Sequence, residues 1–397
     1  MPKILRILNR LNVGGPTYNV AYLSKYLDQS YETKVLAGYN EPHEGNSAYV
    51  LDDLEISFEY VPHMYRRLNP ADDFRAYCFI QRQISQFKPD IVHTHAAKAG
   101  ALGRMAGYHR NNRPKVIIHT YHGNVFDGYF SPLQTQVFLA IERYLCKLCT
   151  GIIAISDAQK KDMVEKYKLA PADKIHVIRL GFDLQKFKEQ RAPKRESFRK
   201  FYRISEDTVV VSIIGRLAPV KNHGLFIDAI NYIKKKDPLA KIKFFIVGDG
   251  EAYNNIISSI NSYGLSYCSP KGSNYDADVI FTSWRKDIDV INAGSDIIAL
   301  TSSNEGTPVS IIEALASGKS TISTDVGGIR DIISDGISGM ISNQNFADFA
   351  EKLYTLATNK LLRQSLAVNG EAFAHGNYTY NRLIENTEQL YKLLLGR

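Results

Sequence analysis

Two cations five residues apart, Arg216 and Lys221, lie between an apolar run that predicts a strand and a pattern that predicts a helix. Gly215 opens the same segment. Guanidinium and ammonium groups at such a junction suit a diphosphate, because a charge-assisted hydrogen bond contributes about 1.5–3 kcal/mol. The alternative is a pair of surface cations beside a turn, and the spacing alone leaves both interpretations open.

Two carboxylates bracket a predicted helix start in the segment NEGTPVSIIEAL. Glu305 lies just before the helix, and Glu313 lies one to two turns inside it. Pro308 suits the first helical turn, so the amides around Pro308–Ser310 would be free to bind phosphate. An ionised carboxylate accepts hydrogen bonds from sugar or ribose hydroxyls. The alternative is an ordinary helix N-terminus with one favourable acidic residue and one solvated glutamate.

Glycine and histidine occupy the ends of three other predicted strands. Gly14 and Gly15 follow the first strand, where glycine permits a tight turn or a close backbone approach to a ligand. A histidine-rich segment, His119–Asn124, and the HTH of His93–His95 follow two further strands. We expect the two histidines of HTH to point to alternate faces, and no carboxylate or cysteine accompanies them. We interpret these histidines as polar residues of the core or of a cleft.

Two patterns that could indicate a metal or redox site have ordinary explanations. The DxD triplets Asp276–Asp278 and Asp287–Asp289 flank a strand, where capping and loop solvation account for them as well as a divalent metal would. Cys146 and Cys149 form a CxxC within an amphipathic helical run, without a second cysteine pair. We therefore predict buried helical thiols and no metal.

Strands alternate with helices of 10 to 17 residues throughout, which predicts βαβ units and parallel sheets. The predicted strands are Lys3–Leu8, Thr33–Leu36, Asp90–Thr94, Val116–Thr120, Ile152–Ile155, Ile175–Ile178, Val209–Ile214, Ile242–Val247, Val279–Thr282, Ile297–Leu300, Ser320–Ser323 and Gly339–Ile341. The polar, basic stretch Arg191–Lys200 contains a proline, as a linker would. We predict two domains, residues 1–185 and 186–376, and a C-terminal helix at 377–397. Ligands of open α/β sheets bind at the carboxyl ends of the strands.

Composition and charge favour a soluble globular protein. The 397 residues are 44% hydrophobic and 23% charged, with a net charge of +8, and no apolar run approaches the roughly 18 residues of a spanning helix. Arg6 and Arg10 interrupt the N-terminal apolar run, which predicts a first strand, not a signal peptide, and a cytoplasmic protein. Residues 91–126 lack acidic side chains but contain basic ones: Lys98, Arg104, Arg110, Arg113 and Lys115. Such a patch could meet anionic lipid, a phosphorylated acceptor or nucleic acid, or could be a solvated face.

The segments in this order resemble the retaining glycosyltransferases of the GT-B class, specifically family 4, over nearly the whole chain. The matching motifs are Gly14-Gly15, His122-Gly123, Val177–Asp183 (with Arg179-Leu180 where Pro-Asn is usual), Gly215 with Arg216 and Lys221, Val247–Glu251, Phe281–Arg285, the E-x7-E pair Glu305 and Glu313, and Gly327-Gly328. The resemblance implies two Rossmann-like parallel-sheet domains facing across a cleft, with the C-terminal helix crossing back to domain one.

The resemblance also implies residue roles. Arg216 and Lys221 would neutralise the donor diphosphate, and Glu305 would bind a donor-sugar hydroxyl. His122 would lie near the donor sugar, and Glu313 would bind the ribose. Further donor contacts implied are Gly14, Gly15, Gly215, Gly248, Trp284, Arg285, Gly306, Thr307, Pro308, Val309 and Ser310.

The amino-acid sequences of these motifs are most similar to those of bacterial members that build capsule, exopolysaccharide or O-antigen. The acceptors of those enzymes are often polyprenyl-diphosphate sugars. The implied donor is a UDP-sugar, with a GDP-sugar as the alternative, and the implied cofactor requirement is none. Lys98, Arg104, Arg110 and Arg113 would then meet the acceptor or the anionic inner face of the plasma membrane, and no nucleic acid is expected. A sugar-nucleotide 2-epimerase and a non-catalytic sugar-nucleotide-binding subunit remain alternatives.

Overall fold

The computed structural model describes residues 1–11, 15–27, 30–41, 45–109, 113–123 and 131–396. The chain divides into two compact units, which we call domain one (Met1–Phe182 with Tyr378–Arg397) and domain two (Asp183–Asn377). The first division lies a few residues before the predicted boundary at 185, and the C-terminal segment belongs to domain one. None of the described helices combines the length and apolar character that a membrane-spanning segment needs.

Domain one is built on a parallel sheet whose described strands run in the order β3-β2-β1-β4-β5-β6-β7. These strands are β1 Lys3–Leu8, β2 Glu32–Ala37, β3 Phe58–Tyr60, β4 Ile91–His95, β5 Val116–Tyr121, β6 Gly151–Ala154 and β7 Ile175–Val177. The central strands β4 and β5 are buried along their whole length, as expected for a sheet that helices cover on both faces. The edge strand β3 has three residues and was not predicted, because so short a run carries no periodic pattern.

The helices of domain one follow the strands in the βαβ manner. They are α1 Gly15–Lys25, α2 Tyr49–Asp53, α3 Pro70–Phe87, α4 Ala97–Tyr108, α5 Pro132–Leu148 and α6 Asp157–Lys161, which continues as a π-helical turn at Asp162–Lys166. Local signals define their starts: the Asn69 side chain accepts from two amides at the start of α3, and Ser131 forms a capping box with Gln134 at the start of α5.

Domain two repeats the architecture with the strand order β10-β11-β9-β8-β12-β13-β14. The strands are β8 Val209–Ile214, β9 Ile242–Val247, β10 Tyr267–Cys268, β11 Val279–Phe281, β12 Ile297–Leu300, β13 Ser320–Thr324 and β14 Met340–Ser342. The pairings are parallel throughout. The helices are α7 Gln185–Lys188, α8 Arg191–Phe201, α9 His223–Lys236, α10 Tyr253–Ser262, α11 Ile288–Gly294, α12 Val309–Ala316, α13 Phe346–Thr358 and α14 Lys360–Asn377.

The stretch predicted as a linker, Arg191–Lys200, is wrong as a linker: it forms helix α8. Phe198 is buried, and its ring would collide with any side chain at Gly294 on α11, 2.1 Å from the ideal Cβ position. Arg199 is also buried and donates to Asp296 at 2.7 Å. The stretch is polar overall, but its buried Phe198 and the ion-paired Arg199 hold the helix to the rest of domain two.

The C-terminal helix α15, Tyr380–Leu395, belongs to domain one. Its Leu383, Leu390 and Tyr391 join Ile4 and Val116 in one buried cluster beneath the sheet. The chain before it is fitted closely to it: a Cβ at Gly181 would lie 2.7 Å from both Leu383 Cβ and the Thr379 carbonyl oxygen. Domain one therefore needs residues from both ends of the chain to complete its core.

Candidate functional site

The strand order of domain two reverses between β8 and β12, which are neighbours in the sheet but distant in sequence. Chain connections leave such a switch point in opposite directions, so the loops after the two strands open a crevice at their carboxyl ends. The loop after β8 carries Gly215–Asn222, and the loop after β12 carries Asn304–Pro308. The predicted cationic and acidic segments therefore meet at the same edge of one sheet.

Glycines at the ends of β8 and β9 bring two backbones into contact. Gly215 and Gly248 have φ values of +157° and +142°, a region that favours glycine. A Cβ on Gly248 would lie 1.9 Å from the Gly215 carbonyl oxygen. A side chain is excluded at Gly248, so the two loops form one continuous glycine-rich floor beside the cations.

Lys221 ends a 3-10 turn, Pro219–Lys221, that the end of β12 fixes in place. The Thr301 hydroxyl donates to the Lys221 carbonyl oxygen at 2.9 Å, and the Ser303 amide donates to the Val220 carbonyl oxygen at 2.9 Å. The ammonium group of Lys221 donates to Glu305 Oε1 at 2.6 Å, and Ser302 Oγ donates to the same oxygen at 2.6 Å. Lys221 and Glu305 thus form a largely buried ion pair.

Arg216 lies beside the neighbouring loop and pairs with Glu251 at 3.0 Å. Both side chains are more than half exposed, so solvent screens the pair and it contributes little to stability. The guanidinium group is accordingly available to a stronger anionic partner.

The loop before α12 is pinned from below by the Gly327-Gly328 pair. A Cβ on Gly327 would lie 1.7 Å from the Glu305 carbonyl oxygen, and the Gly328 amide donates to the Gly306 carbonyl oxygen at 3.0 Å. Helix α12 begins at Val309 without a side-chain capping hydrogen bond. Its first amides have no acceptor within the helix and can bind an anion. The residues around this start, Thr307, Val309 and Ser310, are partly exposed, whereas Pro308 is buried.

Glu313 lies on α12, near α7 and α11. Desolvation raises the pKa of its carboxyl group, the positive charge of Lys186 opposes the rise, the negative charge of Asp289 adds to it, and the resulting pKa is about 7. A carboxyl group of this kind is poised to ionise when hydroxyl donors arrive.

Trp284 and Arg285, two of the predicted donor contacts, differ in how free their side chains are to bind a ligand. Trp284 has 59% of its surface exposed. Arg285 is held by Asp287, with nitrogen–oxygen distances of 2.7 and 2.5 Å. Two further carboxylates of the DxD triplets form ion pairs: Asp278 pairs with Lys234, and Asp289 with Lys194.

In domain one, β5 and β4 bring histidines together at their carboxyl ends. His95 Nδ1 and His122 Nε2 lie 3.1 Å apart, with one ring nitrogen donating to the other. Burial lowers the pKa of His122 to about 3, so the imidazole is neutral at pH 7. Its Nδ1 and the Nε2 of His95 have no hydrogen-bond partner among the described residues. His95 is among the histidines predicted to be polar residues of the core or of a cleft, but its contact with His122 was not predicted.

The expectation that His93 and His95 point to alternate faces is wrong. Residues two apart on a strand share a face, and the two ring centroids lie 4.2 Å apart. This periodicity was the signal that could have grouped His95 with His122. His93 Nδ1 lies in hydrogen-bond contact with the Tyr391 hydroxyl, 2.6 Å away. Arg6 donates to the same hydroxyl at 2.8 Å.

No group of three or more His, Cys, Asp or Glu side chains is placed to hold a metal within the described part of the chain. Cys146 and Cys149 are buried free thiols, as predicted. Burial raises the pKa of Cys149 to about 12, which removes the thiolate that redox chemistry needs.

The predicted basic surface of domain one is only partly exposed. Arg104 is wrong as a surface residue: it is fully buried and donates to both oxygens of Glu142, at 3.2 and 2.9 Å. The sequence around Arg104 contains no acidic residue, and the carboxylate that pairs with it, Glu142, lies on a later helix, α5. Lys98 pairs with Asp73 at 2.7 Å, and Arg113 is exposed, 5.0 Å over the Tyr108 ring.

Two predicted positions, Gly14 and Arg110, lie outside the described residues. Gly15 is the first residue of α1, and a Cβ there would lie 3.1 Å from Leu180. It fits closely against the segment that ends domain one.

Comparison with known proteins gives matches over both domains. Residues 13–186 match the family described as "Glycosyltransferase Family 4", and residues 194–373 match "Glycosyl transferases group 1". The UDP-Gal:alpha-D-GlcNAc-diphosphoundecaprenol alpha-1,3-galactosyltransferase of Escherichia coli is 30% identical over 316 residues, 79% of this chain and 77% of that protein. The capsular polysaccharide biosynthesis glycosyltransferase CapM of Staphylococcus aureus is 25% identical over 322 residues, 78% of each chain.

The solved structure of Anabaena HepE in complex with UDP has a TM-score of 0.80 to this chain at 19% identity, and covers 98% of this chain and 99% of that one. This likeness confirms the predicted GT-B fold class.

Proposed function

Since the chain belongs to the family 4 glycosyltransferases, with the group 1 domain in its C-terminal half, we propose that it is a retaining enzyme of surface-polysaccharide synthesis. It transfers a hexose or N-acetylhexosamine from a UDP-sugar to a lipid-linked or saccharide acceptor. The names of its relatives support the UDP donor and the diphospholipid acceptor. One observation carries the proposal: the half-exposed start of α12 lies beside the Lys221–Glu305 ion pair at the switch point of domain two.

The reaction needs stabilisation of negative charge on the departing diphosphate. Lys221 and Arg216 would bind the phosphate oxygens, and the amides at Thr307, Val309 and Ser310 would bind a phosphate at the helix start. Thr301 and Ser303 fix the turn that carries Lys221, and Gly327 and Gly328 fix the loop before α12, so little reorganisation of these donors accompanies bond cleavage. The two cations supply charge that a divalent metal supplies in other transferases, which supports a metal-independent enzyme.

Two carboxylates would orient the donor. Glu305, held by Lys221 and Ser302, would accept from a hydroxyl of the donor sugar. Glu313 would accept from the ribose hydroxyls, and the exposed face of Trp284 with Arg285 would border the base. The glycine floor at Gly248 and Gly215 would lie under the diphosphate.

Retention follows from a single-face exchange. The anomeric C–O bond to the diphosphate breaks, the acceptor oxygen bonds to the same carbon from the same face, and the acceptor proton passes to the leaving phosphate. No carboxylate acts as a nucleophile in this scheme. The neutral imidazole of His122 would contact the donor sugar from domain one, and Gly14 and Gly15 would approach a phosphate by their backbone.

The acceptor would approach from domain one, at the cytoplasmic face of the membrane. The exposed Arg113, together with Arg110, would contact an anionic acceptor or membrane. The buried Arg104 has no such role, and neither has Lys98, whose side chain is 9% exposed and paired with Asp73.

The test is to incubate the purified protein with UDP- and GDP-sugars, with and without a short-chain GlcNAc-diphosphoprenol, in the presence of EDTA. We expect transfer from a UDP-sugar. The coupling constant of the anomeric proton in the product should show an α-linkage, as in the α-linked donor. Epimerised UDP-sugar without acceptor would identify an epimerase instead, and UDP-sugar binding without transfer or hydrolysis would identify a non-catalytic subunit.

A further inference from the structure

Helix α5 of domain one presents an apolar stripe to solvent. Leu133, Val137, Ile141 and Tyr144 are 78%, 53%, 46% and 48% exposed. Their spacing of four, four and three residues places them on one face of the helix. With a rise of 1.5 Å per residue, the stripe is about 16 Å long. Isolated exposed apolar residues are ordinary, but a continuous stripe of this length indicates a binding surface.

The exposed charge on helices α4 and α5 has one sign, and carboxylates occur on the π-helical turn that packs against α5 through Met163 and Tyr167. Helix α4 contains no acidic residue, and the only acid of α5, Glu142, is buried against Arg104. Exposed cations lie where α5 ends and β5 begins: Lys147, Lys115 and Arg113. The described surface of these two helices therefore offers apolar and cationic groups without a carboxylate.

Aromatic rings border the stripe on the cationic side. The Tyr144 hydroxyl lies 3.4 Å from His109 Nε2, His109 makes an edge contact with the Tyr108 ring, and Arg113 lies over that ring. Tyrosine with an apolar body and a polar tip is the residue type enriched where a protein meets the headgroup region of a bilayer.

We propose that α5 is a membrane-docking helix, which lies in the plane of an anionic bilayer with its stripe at the boundary between headgroups and acyl chains. Apolar insertion and cation attraction are the two contributions that interfacial amphipathic helices combine. The proposal rests on the proposed lipid-linked acceptor for its purpose. It adds helix α5 to the exposed part of the predicted basic patch, Arg113 and Lys115.

The connectivity gives the docking a consequence for the reaction. Helix α5 leads back from the end of β5, which carries His122, towards the start of β6. Because strand ends and helix starts share one edge of a βαβ sheet, Leu133 lies towards the edge that carries the histidines. Docking along α5 would hold this edge near the bilayer, where a lipid-linked acceptor presents its diphosphate.

The test is flotation of the full-length protein with phosphatidylcholine vesicles containing 0 or roughly one-third phosphatidylglycerol. We expect binding to the anionic vesicles only. V137Q/I141Q should lower the partition coefficient by about tenfold or more, because each buried apolar side chain contributes strongly, and K147E should lower it about fivefold. The matched control L361Q/V368Q removes two side chains of α14 that are 79% and 68% exposed, and should bind as the wild type does.

Transfer to a short-chain, water-soluble acceptor separates this proposal from the proposed function. V137Q/I141Q should keep wild-type turnover with that acceptor, and loss of transfer by every form of the protein would overturn the function but not the docking. Wild-type vesicle binding by V137Q/I141Q would overturn the docking proposal. A wild-type protein that is a dimer and does not bind vesicles, together with a monomeric V137Q/I141Q variant, would also overturn it. That result would assign the stripe to contact with a second copy of the chain.

Discussion

At the scale of single residues, the protein holds its proposed donor-site cations in ion pairs of unequal exposure. The Lys221–Glu305 pair is 24% and 12% exposed, whereas the Arg216–Glu251 pair is 61% and 51% exposed. Screening weakens the second pair far more than the first. A diphosphate can therefore take Arg216 at little cost, while Lys221 stays near Glu305 and can touch phosphate and carboxylate together.

The raised pKa of Glu313, about 7, predicts that donor binding strengthens with pH. Only the ionised carboxyl group accepts from both ribose hydroxyls, and its population rises about tenfold between pH 6 and pH 8 for such a pKa. We expect the Kd of UDP to fall by about tenfold over this range. Calorimetric titration in buffers of different ionisation enthalpy should also detect proton release.

E313Q is the control, because it keeps the shape and removes the ionisation. Its Kd should not vary between pH 6 and pH 8, and an unchanged pH profile in E313Q would contradict the assignment. The stability effect has the opposite sign: a carboxyl group with a raised pKa stabilises the free fold below its ordinary pKa near 4.5, and this contribution is lost as the pH rises through about 7.

Residue types and spacing predicted the cationic and acidic groups of domain two, because strand ends and helix starts have sequence signals. They could not predict partners. The counter-charge of Arg104 lies 38 positions away on Glu142, and no local pattern connects the two. The contact of His95 with His122 likewise depends on the pairing of β4 with β5.

At the scale of elements, the loop before α12 keeps its place because two glycines let it approach the chain after β13. Gly327 has φ = +51°, and its backbone packs directly on that of Glu305. The position of the Glu305 carboxylate thus depends on a residue that has no side chain.

G327A should therefore displace the Glu305–Gly306 loop and lower transfer activity by about 10²-fold, since misplacement by about 1 Å has such an effect. The matched control is G336A, because Gly336 also has a positive φ, +72°, but no atom within 4 Å of its ideal Cβ. G336A should show the backbone strain alone, as a small loss of thermal stability with normal kcat. Equal activity of the two variants would contradict a positioning role for Gly327.

Long buried strands were the most predictable elements. The bounds of β8, β9 and β12 equal the predicted ones, because apolar runs bounded by polar turns define buried parallel strands. The two-residue β10 has too little sequence to carry a pattern. The failure at α8 has a different cause: its contacts with Gly294 and Asp296 lie about 100 positions away, and local polarity dominated the prediction.

At the scale of the whole molecule, domain one is closed by the last helix of the chain. Tyr391 is fully buried, and its hydroxyl group joins Arg6 on β1 to His93 on β4. The C-terminal helix thus stabilises the strand pair at the centre of the domain-one sheet.

Y391F should destabilise domain one by about 1–3 kcal/mol, because a buried guanidinium nitrogen of Arg6 and Nδ1 of His93 both lose their hydrogen bond to the hydroxyl group and keep only their 3.2 Å contact with each other. The single tryptophan, Trp284, lies in domain two. Urea unfolding of Y391F should therefore shift part of the far-UV circular dichroism transition while the tryptophan fluorescence transition stays in place. L393A, at a position 66% exposed on the same helix, is the control, and an unshifted circular dichroism transition in Y391F would disprove this role.

The most direct test of the proposed donor site is the calorimetric titration of UDP into three proteins: wild type, K221A and K241A. Lys241 is the matched control, because it also pairs with a carboxylate, Asp207 at 2.5 Å, but precedes β9 at the opposite edge of the same sheet. Loss of one charge-assisted contact should weaken UDP binding by K221A by about 10- to 100-fold, with K241A equal to wild type. A wild-type Kd for K221A would show that UDP does not bind at the β8–β12 switch point.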